Sequence, residues 1–228
     1  MHPSTVERAA IEPAAAERTT SFGQDYTLTW VDRFGVWLSS RQVRRYLPDV
    51  RGMRIGDFGC GYNASLARTW IDVAAAVTLV DVSLAPDLKR HSSVHAIEGS
   101  LPDALSNLAS GSLDAILCLS VLEHVWRPVE LLKECHRTLA PGGICLINVP
   151  SWHGKGWLEF SAFKLGLSPR EEMDDHKCYY DPRDLWPILV RAGFKPCNIR
   201  CFKHKFGLNT FAVCRRVTTQ GDSANGRP

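Results

Sequence analysis

Five short apolar runs, each followed by a segment of helical composition, constrain this chain more than any other feature. The runs are Met53–Phe58, Ala76–Asp81, Val94–Ile97, Asp114–Leu119 and Ile144–Val149. They are nearly continuous in polarity rather than alternating, so each strand is expected to be covered on both faces. Helices are expected at Asn63–Ile71, Leu84–Arg90, Pro102–Leu108 and Pro128–Leu139. Strands separated by helices join as parallel neighbours through right-handed crossovers. Near the C-terminus, Asp181 and Pro182 read as the N-cap and first residue of another helix, which ends at Ala192-Gly193. Pro196–Phe202 and Leu208–Arg215 then read as strands joined through Gly207. The predicted fold is α/β: a Rossmann-like, doubly wound, mostly parallel seven-stranded sheet with helices on both faces and a C-terminal antiparallel hairpin.

In such a sheet, ligands bind beyond the carboxyl ends of the strands. The first run ends in Asp57-Phe58-Gly59-Cys60-Gly61, and Asn63 to Trp70 reads as the opening of a helix. A strand, a glycine turn and a helix start let bare backbone approach a ligand and point N–H groups at it. Two cofactors fit these glycines, because Gly59, Gly61 and Ala64 also match the dinucleotide spacing G-x-G-x-x-A. Asp57 separates the two. A carboxylate two residues before Gly59 repels a pyrophosphate and suits a cationic ligand. S-adenosylmethionine carries an ammonium and a sulfonium and has no phosphate. Asp81, at the end of the second run, can accept hydrogen bonds from ribose hydroxyls of either cofactor.

At this point the sequence resembles the class I S-adenosylmethionine-dependent methyltransferases of the type 11/type 12-like group. Asp57-Phe58-Gly59-Cys60-Gly61 is similar to the family's first motif, and Asp81 to its ribose acid. Glu98-Gly99-Ser100 resembles the adenine-side loop, Leu113 to Val125 the fourth strand with the loop after it, and Leu139-Ala140-Pro141-Gly142-Gly143 the turn before the fifth strand. Order and spacing match across about Arg51 to Pro150. The resemblance implies S-adenosyl-L-methionine as cofactor and S-adenosyl-L-homocysteine as product. It implies cofactor contacts from Asp57, Gly59, Cys60, Gly61, Asp81, Val82, Gly99, Ser100, Leu101 and Ser120. Two departures stand out. Tyr62-Asn63 replaces the usual third glycine, which narrows the methionine end of the pocket. Ser100 replaces a frequent aspartate, which leaves adenine recognition to backbone groups.

Methyl transfer from a sulfonium requires that the acceptor be aligned and its proton removed. His124 follows the fourth strand and is the first choice of base, because imidazole titrates near neutral pH. His153 and His176 are the alternatives. Some relatives carry a Glu-x-x-Glu-His metal site. Here Ser120 stands where the first Glu would be, and Glu123 with His124 are too few ligands, so no metal is expected. The acceptor is expected to be a small molecule or saccharide-type precursor, methylated on oxygen or nitrogen. Two rival readings remain open: a NAD(P)-dependent oxidoreductase, and a non-catalytic cofactor-binding module.

The 228 residues suit one domain, 22–217, with an N-terminal arm at 1–21 and a polar tail at 218–228, both expected to lack fixed structure. Residues 150–180 hold Trp152, Trp157, Phe160, Phe163, Tyr179 and Tyr180, and are expected to form an acceptor-binding lid. Tyr26 to Tyr46 carries Trp30, Phe34, Trp37 and Leu38 at helical spacing. It predicts a helix whose apolar face packs on the sheet edge and reaches over the cofactor mouth. Arg41, Arg44 and Arg45 share a face of that helix and read as solvated. A net charge of +3 gives little reason to expect a nucleic-acid partner. The eight cysteines are dispersed, without a Cys-x-x-Cys pair, and no apolar run approaches membrane-spanning length. A cytoplasmic protein with no membrane span is expected.

Overall fold

The computed structural model describes residues 20–24, 29–155 and 177–218. Its seven-stranded sheet runs β3-β2-β1-β4-β5-β7-β6. The strands are β1 (Arg54–Phe58), β2 (Ala76–Asp81), β3 (Val94–Glu98), β4 (Leu113–Leu119), β5 (Leu139–Pro150), β6 (Ile199–His204) and β7 (Asn209–Arg215). β1 to β5 pair in parallel, and β7 runs antiparallel between β5 and β6. The α-helices are α1 (Trp30–Tyr46), α2 (Pro86–Lys89), α3 (Pro128–Thr138) and α4 (Pro182–Arg191). Strand order reverses between β1 and β4, and crevices form at such a switch point.

Period-two side chains send each strand's apolar residues to both faces. Phe58, Ile116, Cys118, Cys145, Ile147 and Ala212 meet Leu131, Leu132 and Cys135 of α3 and Leu185 and Leu189 of α4. On the other face Ile55, Ala115, Leu117, Leu146 and Phe211 meet Val43 of α1, Leu47 that caps it, and Trp70. Val77 and Leu79 meet Ala64, Ala67, Leu84 and Leu88. The buried cysteines behave as small hydrophobes: the contact each makes with the Cys135 thiol, and then burial, drive the Cys118 and Cys145 thiols well above their ordinary pKa. α4 opens as its sequence predicts, with Asp181 and Asp184 forming a reciprocal capping box and Pro182 in the first turn.

Several elements depart from their sequence patterns. Asn63–Ile71 is not an α-helix. A turn at Tyr62-Asn63 leads into Ala64 at φ 44°, and a single 3₁₀ turn at Ala67–Trp70 follows. Pro102–Leu108 shrinks to a 3₁₀ turn at Asp103–Leu105. The segment closes through i→i+3 bonds, Leu105 N–H to Pro102, Ser106 N–H to Asp103 and Leu108 N–H to Leu105, and Arg137 of α3 donates to the carbonyls of Leu105 and Leu108 at its end. Leu84–Arg90 contracts to the four residues of α2, and Pro196–Asn198 is a 3₁₀ turn before β6 rather than its start. α1 is turned the other way from its expected pose. Trp30, Phe34 and Trp37 are 71%, 48% and 55% exposed, while Ser39, Gln42, Val43 and Leu47 face the sheet. The bulkiest rings of the helix, Trp30, Phe34 and Trp37, lie on the outward side, so apolar spacing alone points to the wrong face.

Candidate functional site

The turn after β1 closes on itself. Gly59 N–H and Cys60 N–H donate to the carbonyl of Val80, at 2.7 and 3.4 Å. Gly61 N–H donates to Asp81 Oδ2 at 2.7 Å, and Tyr62 N–H to the Phe22 carbonyl at 3.0 Å. Four successive loop amides are thus satisfied by protein acceptors, and no α-helix start follows them. A pyrophosphate cradle needs both free amides and a helix N-terminus. Gly59 and Gly61 sit at φ 73°, where a side chain is strained. A β-carbon on Gly59 would lie 2.3 Å from Val121 Cγ2, and one on Gly61 3.1 Å from the Phe22 carbonyl. The glycines therefore make room first for the β4 loop and the N-terminal segment, not for a ligand alone.

Two carboxylates stand behind this loop. Asp57, on β1 in register with Leu79 and Leu117, is 5% exposed. Burial, with the Asp81 charge adding to it, pushes its pKa up to about 7. Asp81 ends β2. Its Oδ1 accepts from Val82 N–H at 2.8 Å and from the Ser21 hydroxyl, and its Oδ2 from Gly61. Ser21 Oγ also lies 2.6 Å from the Ser83 carbonyl and accepts from Ser83 N–H. A hydroxyl carries a single proton, so it satisfies Asp81 or the Ser83 carbonyl at one time. The donor set suits a ligand with cationic groups and ribose hydroxyls, and it does not suit a phosphate. Around it lie Gly99, whose N–H donates to the Asp81 carbonyl at 3.0 Å, then Ser100 and Leu101. At the crest of β4, Ser120 holds φ 57°, and its N–H donates to the Asn148 carbonyl at 2.7 Å. A non-glycine residue held there is the kind of strain that functional edges retain.

A second group gathers at the same edge. Ser151, after β5, donates through its hydroxyl to the Gly207 carbonyl at 2.7 Å and accepts from Gly154 N–H, which ties the chain to the β6–β7 turn. Lys177 N–H donates to the Glu123 carbonyl at 2.7 Å, and Tyr180 N–H to that of Pro150 at 3.0 Å. Glu123 is buried. Lys205 and Phe206, in the β6–β7 turn, hold φ 47° and 59°. Burial lowers the Lys205 pKa to about 8 against the opposing pull of Glu123. Trp152 and Tyr179 rings lie 5.6 Å apart, with Lys155 Nζ 5.9 Å from each.

This geometry agrees with what the chain resembles. The methyltransferase domain family matches residues 56–147. The ubiquinone biosynthesis O-methyltransferase of Paracidovorax citrulli is 30% identical over 190 residues, 78% of this chain and 76% of that protein. The chain belongs to the class I S-adenosylmethionine-dependent methyltransferases. The protein of the same name from Xanthomonas oryzae is 36% identical over 103 residues, so the chain spans 42% of that relative's length. The fold is also that of an S-adenosylmethionine-dependent methyltransferase from Archaeoglobus fulgidus. TM-score is 0.56 at 17% identity, over 79% of this chain and 94% of that one.

Within the methyltransferase framework, the residues anticipated from sequence divide. Asp57, Gly59, Cys60, Gly61, Asp81, Val82 and Gly99–Leu101 gather at the ends of β1, β2 and β3, and Val121 brings the Ser120 loop onto Gly59. Cys60 is half-buried, and burial beside Asp57 and Asp81 drives its thiol well up, so it is no nucleophile. His124 closes the 3₁₀ turn Leu122–His124 and is half-buried. His153 is exposed, beyond β5. His176, Trp157 and most of the expected lid lie outside the described residues, as do 1–19 of the expected arm. Ser21, that arm's last residue, is buried against Asp81. Among the described residues no three His, Cys, Asp or Glu side chains gather as a metal site, and no helix is long and apolar enough to cross a membrane. Sequence reasoning missed Ser21, Phe22, Val121 and Lys205. Each acts through a partner remote in sequence, so no local motif marks it.

Proposed function

We propose that this protein transfers the methyl group of S-adenosylmethionine to a hydroxyl oxygen of a small organic acceptor. The observation that carries this reading is the closed glycine loop, its amides already satisfied, with Asp57 buried behind it and Asp81 at its side. The cofactor, when bound, supplies a sulfonium-activated methyl. Asp57 offers a carboxylate to the ammonium end of that ligand, and Asp81 exchanges Ser21 for ribose hydroxyls. Gly99 to Leu101 line the adenine side. Binding the ammonium favours ionised Asp57, so a proton leaves the site as the ligand enters. His124, on the loop that Val121 packs against Gly59, accepts the acceptor's proton through its neutral imidazole as the methyl is taken. Trp152 and Tyr179 supply aromatic surface on the acceptor side, and a planar acceptor would stack there.

The named role of the relatives supports oxygen over nitrogen, and a phenolic hydroxyl over a saccharide one. The closed loop and the family both weigh against a nicotinamide cofactor. A module that binds without turnover is distinguished by activity alone. The test is turnover with methyl-labelled S-adenosylmethionine and a panel of catechols, hydroxylated quinone precursors, sugars and amines. Label in a phenolic ether supports the reading. Label only in sugars or amines, or cofactor binding with no transfer to any acceptor, overturns it.

A further inference from the structure

α1 presents an unusual outward face. Trp30, Arg33, Phe34, Trp37, Arg41, Arg44 and Arg45 are all exposed. At helical spacing they fall within a sector about 120° wide. The Phe34 and Trp37 rings stack on each other, with centroids 5.8 Å apart. The one acid of the helix, Asp32, is turned into the capping box with Thr29 and does not offset the arginines. Among the described residues none of Arg33, Arg41 and Arg45 forms an ion pair, and Arg44 reaches the Thr69 hydroxyl at 3.3 Å. The β6–β7 turn packs against the opposite side of the helix, with Lys205 Nζ 3.7 Å from the place a β-carbon on Gly35 would take. That turn leaves Phe206 89% exposed.

We infer that this face of α1 docks the protein on an anionic lipid surface. Tryptophan and phenylalanine on one stripe, with arginines along the same stripe, are the composition of a helix lying in the bilayer interface. The rings enter the headgroup boundary and the guanidinium groups take lipid phosphates. A second copy of the chain is a poorer occupant. It would bring its own arginines and, from the same face, no carboxylate to meet them, whereas anionic headgroups supply the missing charge.

The test is co-sedimentation of the whole protein with vesicles of phosphatidylcholine alone, and of phosphatidylcholine with about one-third phosphatidylglycerol. The expected result is binding to the anionic vesicles at least about 10-fold tighter than to the zwitterionic ones, and weakened by salt. The double variant Arg41→Ala/Arg45→Ala should lose roughly 30-fold in partitioning. Trp30→Ser/Phe34→Ser/Trp37→Ser should abolish binding, with the thermal midpoint by circular dichroism unchanged because these side chains face outward. Equal binding to both vesicles, no sedimentation with either, or undiminished binding by the folded variants would overturn the inference. So would a wild-type dimer by light scattering that the same substitutions split, since that assigns the face to a second copy.

Discussion

Asp57 carries two opposed linkages. Its pKa is raised from 3.8 to about 7, so the folded protein favours the neutral acid. Its contribution to stability is fully present below about pH 4 and is lost as pH rises through about 7, a swing on the order of 4 kcal/mol. A ligand ammonium acts in the other sense, because it favours the carboxylate. S-adenosylhomocysteine affinity should therefore rise with pH through about 7 and level off above it. In Asp57→Asn that slope should flatten, affinity at pH 8 should fall, and the thermal midpoint at pH 8 should rise. Calorimetric titration and melting across this pH range measure all three, and an unchanged slope would place the ammonium elsewhere. His124 is a separate residue-scale question. His124→Ala should lower kcat about 10²- to 10⁴-fold with cofactor affinity nearly intact, since the proton moves only along the reaction path. His124→Asn should be comparably slow. Restored turnover in the Asn variant would make His124 a loop tether, and would move the base to His153, His176 or Lys205.

The N-terminal segment is the element whose role the chain's motifs conceal. Ser21 folds back onto Asp81, sixty residues on in sequence, and Phe22 onto the glycine loop at Tyr62. Ser21 holds a hydrogen-bonding place on Asp81 that a ribose hydroxyl would use. Ser21→Ala removes that competition, and S-adenosylhomocysteine should bind about 5-fold tighter, the worth of one internal hydrogen bond. Weaker binding would mean the segment closes over the ligand and adds to its hold. Elements with long-range apolar pattern were legible: β1, β2, β4 and α3 lie within a residue or so of their predicted bounds. The short helical segments were not. The segment after Gly61 has helical composition, but the chain spends it on a turn with Ala64 at positive φ. α1 was placed correctly along the sequence and facing the wrong way, because its Trp and Phe spacing describes an outward surface.

At the scale of the whole molecule, the parallel pairing of β1 to β5 follows from strands separated by crossover segments, and the antiparallel pairing of β6 with β7 from the hairpin at Gly207, whereas the placing of β7 between β5 and β6 is a non-local pairing. The residues proposed to hold the cofactor were readable as a group because they lie within a few positions of strand ends. The second group at that edge was not, because Glu123, Ser151, Lys177 and Lys205 come together only when four distant segments reach one edge. The loop closed by Asp81 suits S-adenosylmethionine and not a dinucleotide. Isothermal titration with S-adenosylhomocysteine and with NAD tests it most directly, on the wild-type chain and on Asp81→Ala. Loss of paired, charge-assisted hydrogen bonds should cost about 2–3 kcal/mol, so Asp81→Ala should weaken S-adenosylhomocysteine binding roughly 30- to 150-fold, and NAD should give no heat with either protein. NAD binding to the wild-type chain, or S-adenosylhomocysteine affinity indifferent to Asp81, would contradict it.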